Sequence, residues 1–106
     1  MPKFMVQGSY TAEGLKGLLK EGGSGRRKAV ESAVKAMGGH LEAFYFAFGD
    51  ADVLAIVDVP DNIAAATLAI GIASTGTVGL KTIVLMTPEE VDQAAKKTLS
   101  FRAAGQ

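Results

Sequence analysis

The stretch from His40 to Asp61, HLEAFYFAFGDADVLAIVDVPD, constrains the fold most tightly. It reads as two apolar strands, His40–Phe48 and Asp52–Val59, joined by a tight acidic turn, Gly49-Asp50-Ala51-Asp52. So short a connection makes them an antiparallel hairpin. A sheet with one wet face alternates apolar and polar residues along each strand. This hairpin does not. Phe44, Phe46 and Phe48 share one parity, and Leu41, Ala43, Tyr45 and Ala47 share the other. Val53, Ala55 and Val57 oppose Leu54 and Ile56 in the same way. Each large side chain left wet forgoes roughly 1.5–3 kcal/mol of burial. Both faces of the sheet therefore need cover. Helices serve for one face. A second copy of the chain, packed sheet to sheet across a two-fold axis, is the expected cover for the other. Pairing Phe48 with Val53, Phe46 with Ala55 and Phe44 with Val57 sets large residues against small ones, so this register is expected; a slip of one residue would mix the faces.

The flanking segments supply the helices. Lys3–Tyr10 alternates as a strand, with Phe4, Val6, Gly8 and Tyr10 on one parity and Met5, Gln7 and Ser9 on the other. Thr11 can cap a short helix carrying Leu15, Leu18 and Leu19. The glycines of Glu21–Gly25 predict a loop, after which a helix resumes beyond Ser24 with Val30, Ala33, Val34 and Met37 as its apolar stripe. Gly38-Gly39 ends it. Asp61 caps Ile63–Ser74, which is apolar nearly all round and so is expected to be deeply packed. Val78–Met86 is a fourth strand. Thr87-Pro88-Glu89-Glu90 combines a threonine cap, proline at the first helical position and glutamate three residues after the cap, and starts a last helix to about Leu99. The order β-α-β-β-α-β plus a terminal helix predicts a ferredoxin-like α+β fold, a four-stranded antiparallel sheet with helices on one face. One domain spans residues 1–106, its core within 3–98; the tail, 99–106, is expected to be mobile, with Phe101 able to dock.

Charge and composition narrow the function classes. Eleven basic and eleven acidic side chains cancel, so neither nucleic acid nor an anionic membrane is an expected partner. There is no cysteine, hence no disulfide framework and no thiolate chemistry. The amino-terminal residues read directly as a strand rather than a signal peptide, and Ile63–Ala73 falls short of the roughly 20 residues a bilayer span needs. A cytoplasmic protein is expected.

Few residues point to chemistry. In GGSGRRK, glycines precede a helix start beside Arg26 and Arg27, but the phosphate-loop pattern is absent, and solvated arginines on a flexible loop are expected. His40 is the only histidine. It suffices for a general base or an axial haem ligand, not for a multi-histidine metal site. No metal and no cofactor is expected, with haem left open. Gln7, Ser9, Tyr10, His40 and Tyr45 are the candidate lining of a small-molecule site, since tyrosines present an apolar ring with a polar tip. His40 and Tyr45 are the weak catalytic candidates, but their opposite parity argues against joint action. Asp50, Asp52 and Asp58 lie close in sequence; the first two suit a turn, where aspartate bonds nearby amides.

With the hairpin placed, the chain resembles the GYD domain family, within the dimeric α/β-barrel proteins. The resemblance covers about residues 3–98. It rests on Tyr10-Thr11, Ser24 with Arg26-Arg27, Gly38-Gly39, Phe44-Tyr45, Gly49-x-x-Asp52, Pro60-Asp61 and Thr87-Pro88-Glu89-Glu90. Gly49 and Asp52 match the glycine and aspartate that name the family, but Ala51 stands where its tyrosine would fall. The resemblance implies a ferredoxin-like subunit that dimerises through its sheets, and no assigned activity; assembly into higher homo-oligomers is left open. The leading expectation is a homodimer that binds a small, mostly apolar molecule in a sheet–helix or interface cavity. The alternatives are a cofactor-poor enzyme of monooxygenase or isomerase type and a purely structural or regulatory assembly module.

Overall fold

A computed structural model describes all 106 residues. Its elements are β1 (Lys3–Tyr10), α1 (Ala12–Ala36), β2 (His40–Phe46), β3 (Val53–Asp58), α2 (Asn62–Ala73), β4 (Val78–Leu85) and α3 (Pro88–Lys96). The strands form one antiparallel sheet in the order β2-β3-β1-β4, the arrangement expected of a ferredoxin-like chain. Each helix starts where a side-chain cap satisfies its first amides. Thr11 accepts from the Gly14 amide at 3.2 Å, and Asp61 from the Ala64 amide at 2.8 Å. Thr87 and Glu90 form a reciprocal capping box.

The core lies between one sheet face and the first two helices. Phe4, Ala55 and Val57 from the sheet, Val34 from α1, Val59, and Ala65 from α2 form it. Gly14 lets α1 come close: a Cβ there would collide with the Thr77 carbonyl, which also accepts the Thr11 amide. No helix is long and apolar enough to cross a membrane.

Four features depart from expectation. The interruption in α1 is a single residue, Gly22, at φ 78°, and Gly23–Gly25 are helical. The hairpin register is two residues off. Phe46 pairs with Val53, Phe44 with Ala55 and Tyr45 with Leu54. The faces survive because the slip is even. Its origin is Phe48, which takes a left-handed φ of 54° and ends β2 early, leaving Ala47–Asp52 as the connection. A β-bulge between Leu41 and Ala43 also moves Leu41 to the helix side, where it packs against the core. Finally, α2 buries only Ala65 and leaves Ile63 and Ile70 exposed, so it covers the sheet as an outer layer.

The carboxyl-terminal arm is the other surprise. Every residue of α3 and of 97–106 is exposed, and Phe101 does not dock. The radius of gyration, 16.9 Å, exceeds the roughly 13 Å of a compact chain of this length, because this arm stands off the body.

Candidate functional site

Strand alternation splits the five candidate lining residues between two faces. Tyr10 shares the helix side with Phe4, Val6 and Gly8, and lines a cavity there. Gln7 and Ser9 border a separate hollow on the open side with Asp50, Ala51 and Lys81. Tyr45 and His40 are exposed. They pair with Leu54 and Asp58, which have the same parity, so the bulge brings both onto the open face, contrary to the expectation from sequence. Their partners lie four residues apart, about 13 Å along a strand, so His40 and Tyr45 still cannot share one reacting atom. The five residues do not line one site.

The enclosed space lies under the helices. A cavity of about 60 Å³ is walled by 17 residues, 14 of them hydrophobic, with Phe4, Val6 and Phe44 from the sheet, Val30 and Val34 from α1, and Leu68 and Ile72 from α2 among them. Outside it a groove of about 560 Å³ runs between α1 and α2, past Ala33, Ala36, Met37, Thr67 and Gly71. Arg26, Leu68 and Ile72 line both spaces. The groove stays open because its walls carry small residues. Thr67 in α2 and Thr75 just beyond it donate their hydroxyls to the Ile63 and Ile72 carbonyls of that helix.

Arg26 is thus not the solvated loop arginine expected. It is half-buried beside Tyr10, and its Nη1 donates to Glu21 Oε1 at 2.6 Å. In an unbroken helix, residues five apart point about 140° away from each other. The Gly22 kink turns Glu21 back toward Arg26. Burial raises the Tyr10 pKa above its ordinary 10.0, partly opposed by the Arg26 charge, so the phenol keeps its proton at neutral pH. The sequence signal for this cluster was the glycine run before Arg26. The kink geometry that aims the side chain was not readable there.

The aspartates do not cluster. Asp52 Oδ2 accepts the Tyr10 amide at 2.8 Å, and the Asp52 amide donates to the Gly8 carbonyl at 2.8 Å. The hairpin end is thereby stitched to the end of β1. Asp58 and Glu42 both hold Lys3 on the open face, and these bonds, Asp58 first, raise the Lys3 pKa above 10.5. No group of three histidine, aspartate or glutamate side chains is placed to hold a metal.

A family profile described as the GYD domain matches residues 4–95. No curated protein and no solved structure matches the chain.

Proposed function

The chain belongs to the GYD domain family, and from that premise we propose that it works as a homodimer binding a small, mostly apolar molecule between sheet and helices. The observation that carries the binding reading is the apolar cavity under α1 and α2, which shares Arg26, Leu68 and Ile72 with the groove between them. Ligand sites are typically concave and mainly apolar, with few polar groups to set orientation. Arg26 and Tyr10 are such groups here. The dimer reading draws on the opposite face of the sheet. Met5, Ala43, Leu54, Ile56 and Leu85 lie there only partly buried, with Tyr45 and Ile83 exposed among them. The arm leaves Val91, Leu99 and Phe101 bare, and a second copy would give these side chains cover. Cytoplasmic residence belongs to the same reading, supported by a chain without cysteine.

Two measurements test it. Mass spectrometry of protein purified from cells under native conditions is expected to show a retained small molecule that organic extraction releases. Protein that carries none, and that binds no polarity-sensitive apolar dye, would refute the binding reading. Sedimentation is expected to give twice the chain mass, and a monomer at micromolar concentration would refute the dimer.

Assembly as the whole function is the second reading. It is favoured by Ile63 and Ile70, which α2 presents outward beyond anything a sheet-to-sheet dimer would cover. Concentration-dependent growth past the dimer, abolished by Ile63→Lys with Ile70→Lys, is its expected signature.

A further inference from the structure

We infer that the molecule bound between α1 and α2 is an amphipathic carboxylate, whose head displaces Glu21 from Arg26 while its apolar body lies in the groove and cavity. This rests on the binding reading above and adds the chemistry of the ligand. Arg26 is the one charged side chain in the walls of either space. It stands at one end of the groove, and Met37, near the other, lies about 16 Å away by helical rise. The charge is therefore terminal and the rest of the walls uncharged, apolar apart from Tyr10, Thr82 and the threonines of the groove, which complements a molecule with one anionic end.

Glu21 reports the preferred partner. Its carboxylate contacts the guanidinium at 2.6 Å, in the charge-assisted geometry that arginine offers any carboxylate. The pair is partly solvated, its side chains 32% and 41% exposed, and exposed pairs of this kind contribute only about 0–1 kcal/mol. Exchanging one carboxylate for another therefore costs little. Glu21 is exposed and sits beside the Gly22 joint, where φ is 78° and a Cβ would meet nothing, so its side chain can turn aside without moving the helical segment that bears Arg26. The Tyr10 hydroxyl, kept protonated by burial, is a neutral donor at the same end. A cationic head would meet Arg26 with repulsion, and a neutral head would leave Glu21 in place.

Calorimetry with decanoate and decan-1-ol, both below their aggregation limits, tests this on the full-length protein. Decanoate is expected to bind about tenfold more tightly than decan-1-ol, the worth of one charge-assisted hydrogen bond. Arg26→Gln is expected to equalise the two by weakening decanoate alone. Glu21→Gln should tighten decanoate several-fold and leave decan-1-ol unchanged. Gly71→Leu fills the groove where a Cβ meets nothing and should weaken both, with circular dichroism confirming the fold. Equal affinities in the unaltered protein, or a decanoate preference that survives Arg26→Gln, would overturn the carboxylate assignment and leave the apolar site standing. Binding of neither compound would overturn the site itself. Binding that ignores Gly71→Leu would place the compounds elsewhere and overturn both, and an unchanged decanoate affinity in Glu21→Gln would overturn the displacement of Glu21.

Discussion

The two faces of the sheet are built from nearly equally apolar residues and meet different fates. On the helix side, Phe4 and Val57 are each 3% exposed. On the open side, Tyr45 is 69% exposed and Ile83 39%. Only 11 of 106 residues are buried, although 48% of the chain is hydrophobic. Apolar character is thus a demand for cover, and which face is served depends on where the connections carry the helices. Both crossovers land on the same side, so the demand of the other face passes to whatever else the chain can meet.

The contrast can be broken most severely from the covered side. Phe4→Ala is expected to cost about 3–5 kcal/mol through lost burial and the cavity left behind, read as a lowered denaturation midpoint at unchanged slope. A much smaller loss would mean that the helix-side core is looser than its packing suggests. The open side should answer in association rather than folding. Leu54→Asp puts an unpaired charge where the partner sheet is proposed to sit and should weaken dimerisation about a hundredfold by sedimentation. If the variant remains dimeric, the interface lies elsewhere, and the arm becomes the first region to examine. Asp52 links the two regions at their edge. Asp52→Ala removes the acceptor for the Tyr10 amide and should cost about 1–3 kcal/mol by thermal unfolding, whereas Asp50→Ala, on an exposed residue, should cost little.

The smallest effect concerns pH. The folded Tyr10 pKa lies above 10.0, through burial first. The folded state therefore holds that proton more tightly than the unfolded state. Its contribution is complete below pH 10.0 and is lost as pH rises through the folded value. Stability of Tyr10→Phe should fall less steeply above pH 10.0 than that of the unaltered protein, followed by denaturant unfolding at several alkaline pH values. Equal slopes would mean that Tyr10 is solvated, and would remove it as a donor inside the cavity mouth.

Much of the fold was legible because it rests on short-range chemistry. Thr11, Asp61 and the Thr87/Glu90 pair cap helices using amides within three residues. The parity of Phe4, Val6 and Gly8 predicts a strand face without reference to any neighbour. The candidate site was less legible. Gln7, Ser9, Tyr10, His40 and Tyr45 share a polar or amphipathic character, but the sheet separates them by parity and by a bulge. Arg26 looked like a solvated residue because its neighbours in sequence are glycines and charges. Its partners, Leu68 and Ile72, are more than forty residues away.

By itself, then, the sequence determined the element order, the helix starts and the presence of two apolar sheet faces, since each follows from contacts or periodicity within a few residues. Tertiary structure alone decided the rest. The bulge that turns Leu41 inward against the core and the left-handed Phe48 that accompanies the two-residue shift of the hairpin depend on pairing between segments, which no pattern along either strand records. The Gly22 kink that gives Arg26 to Glu21 is different: it is a short-range choice among several glycines, any of which could take the left-handed turn.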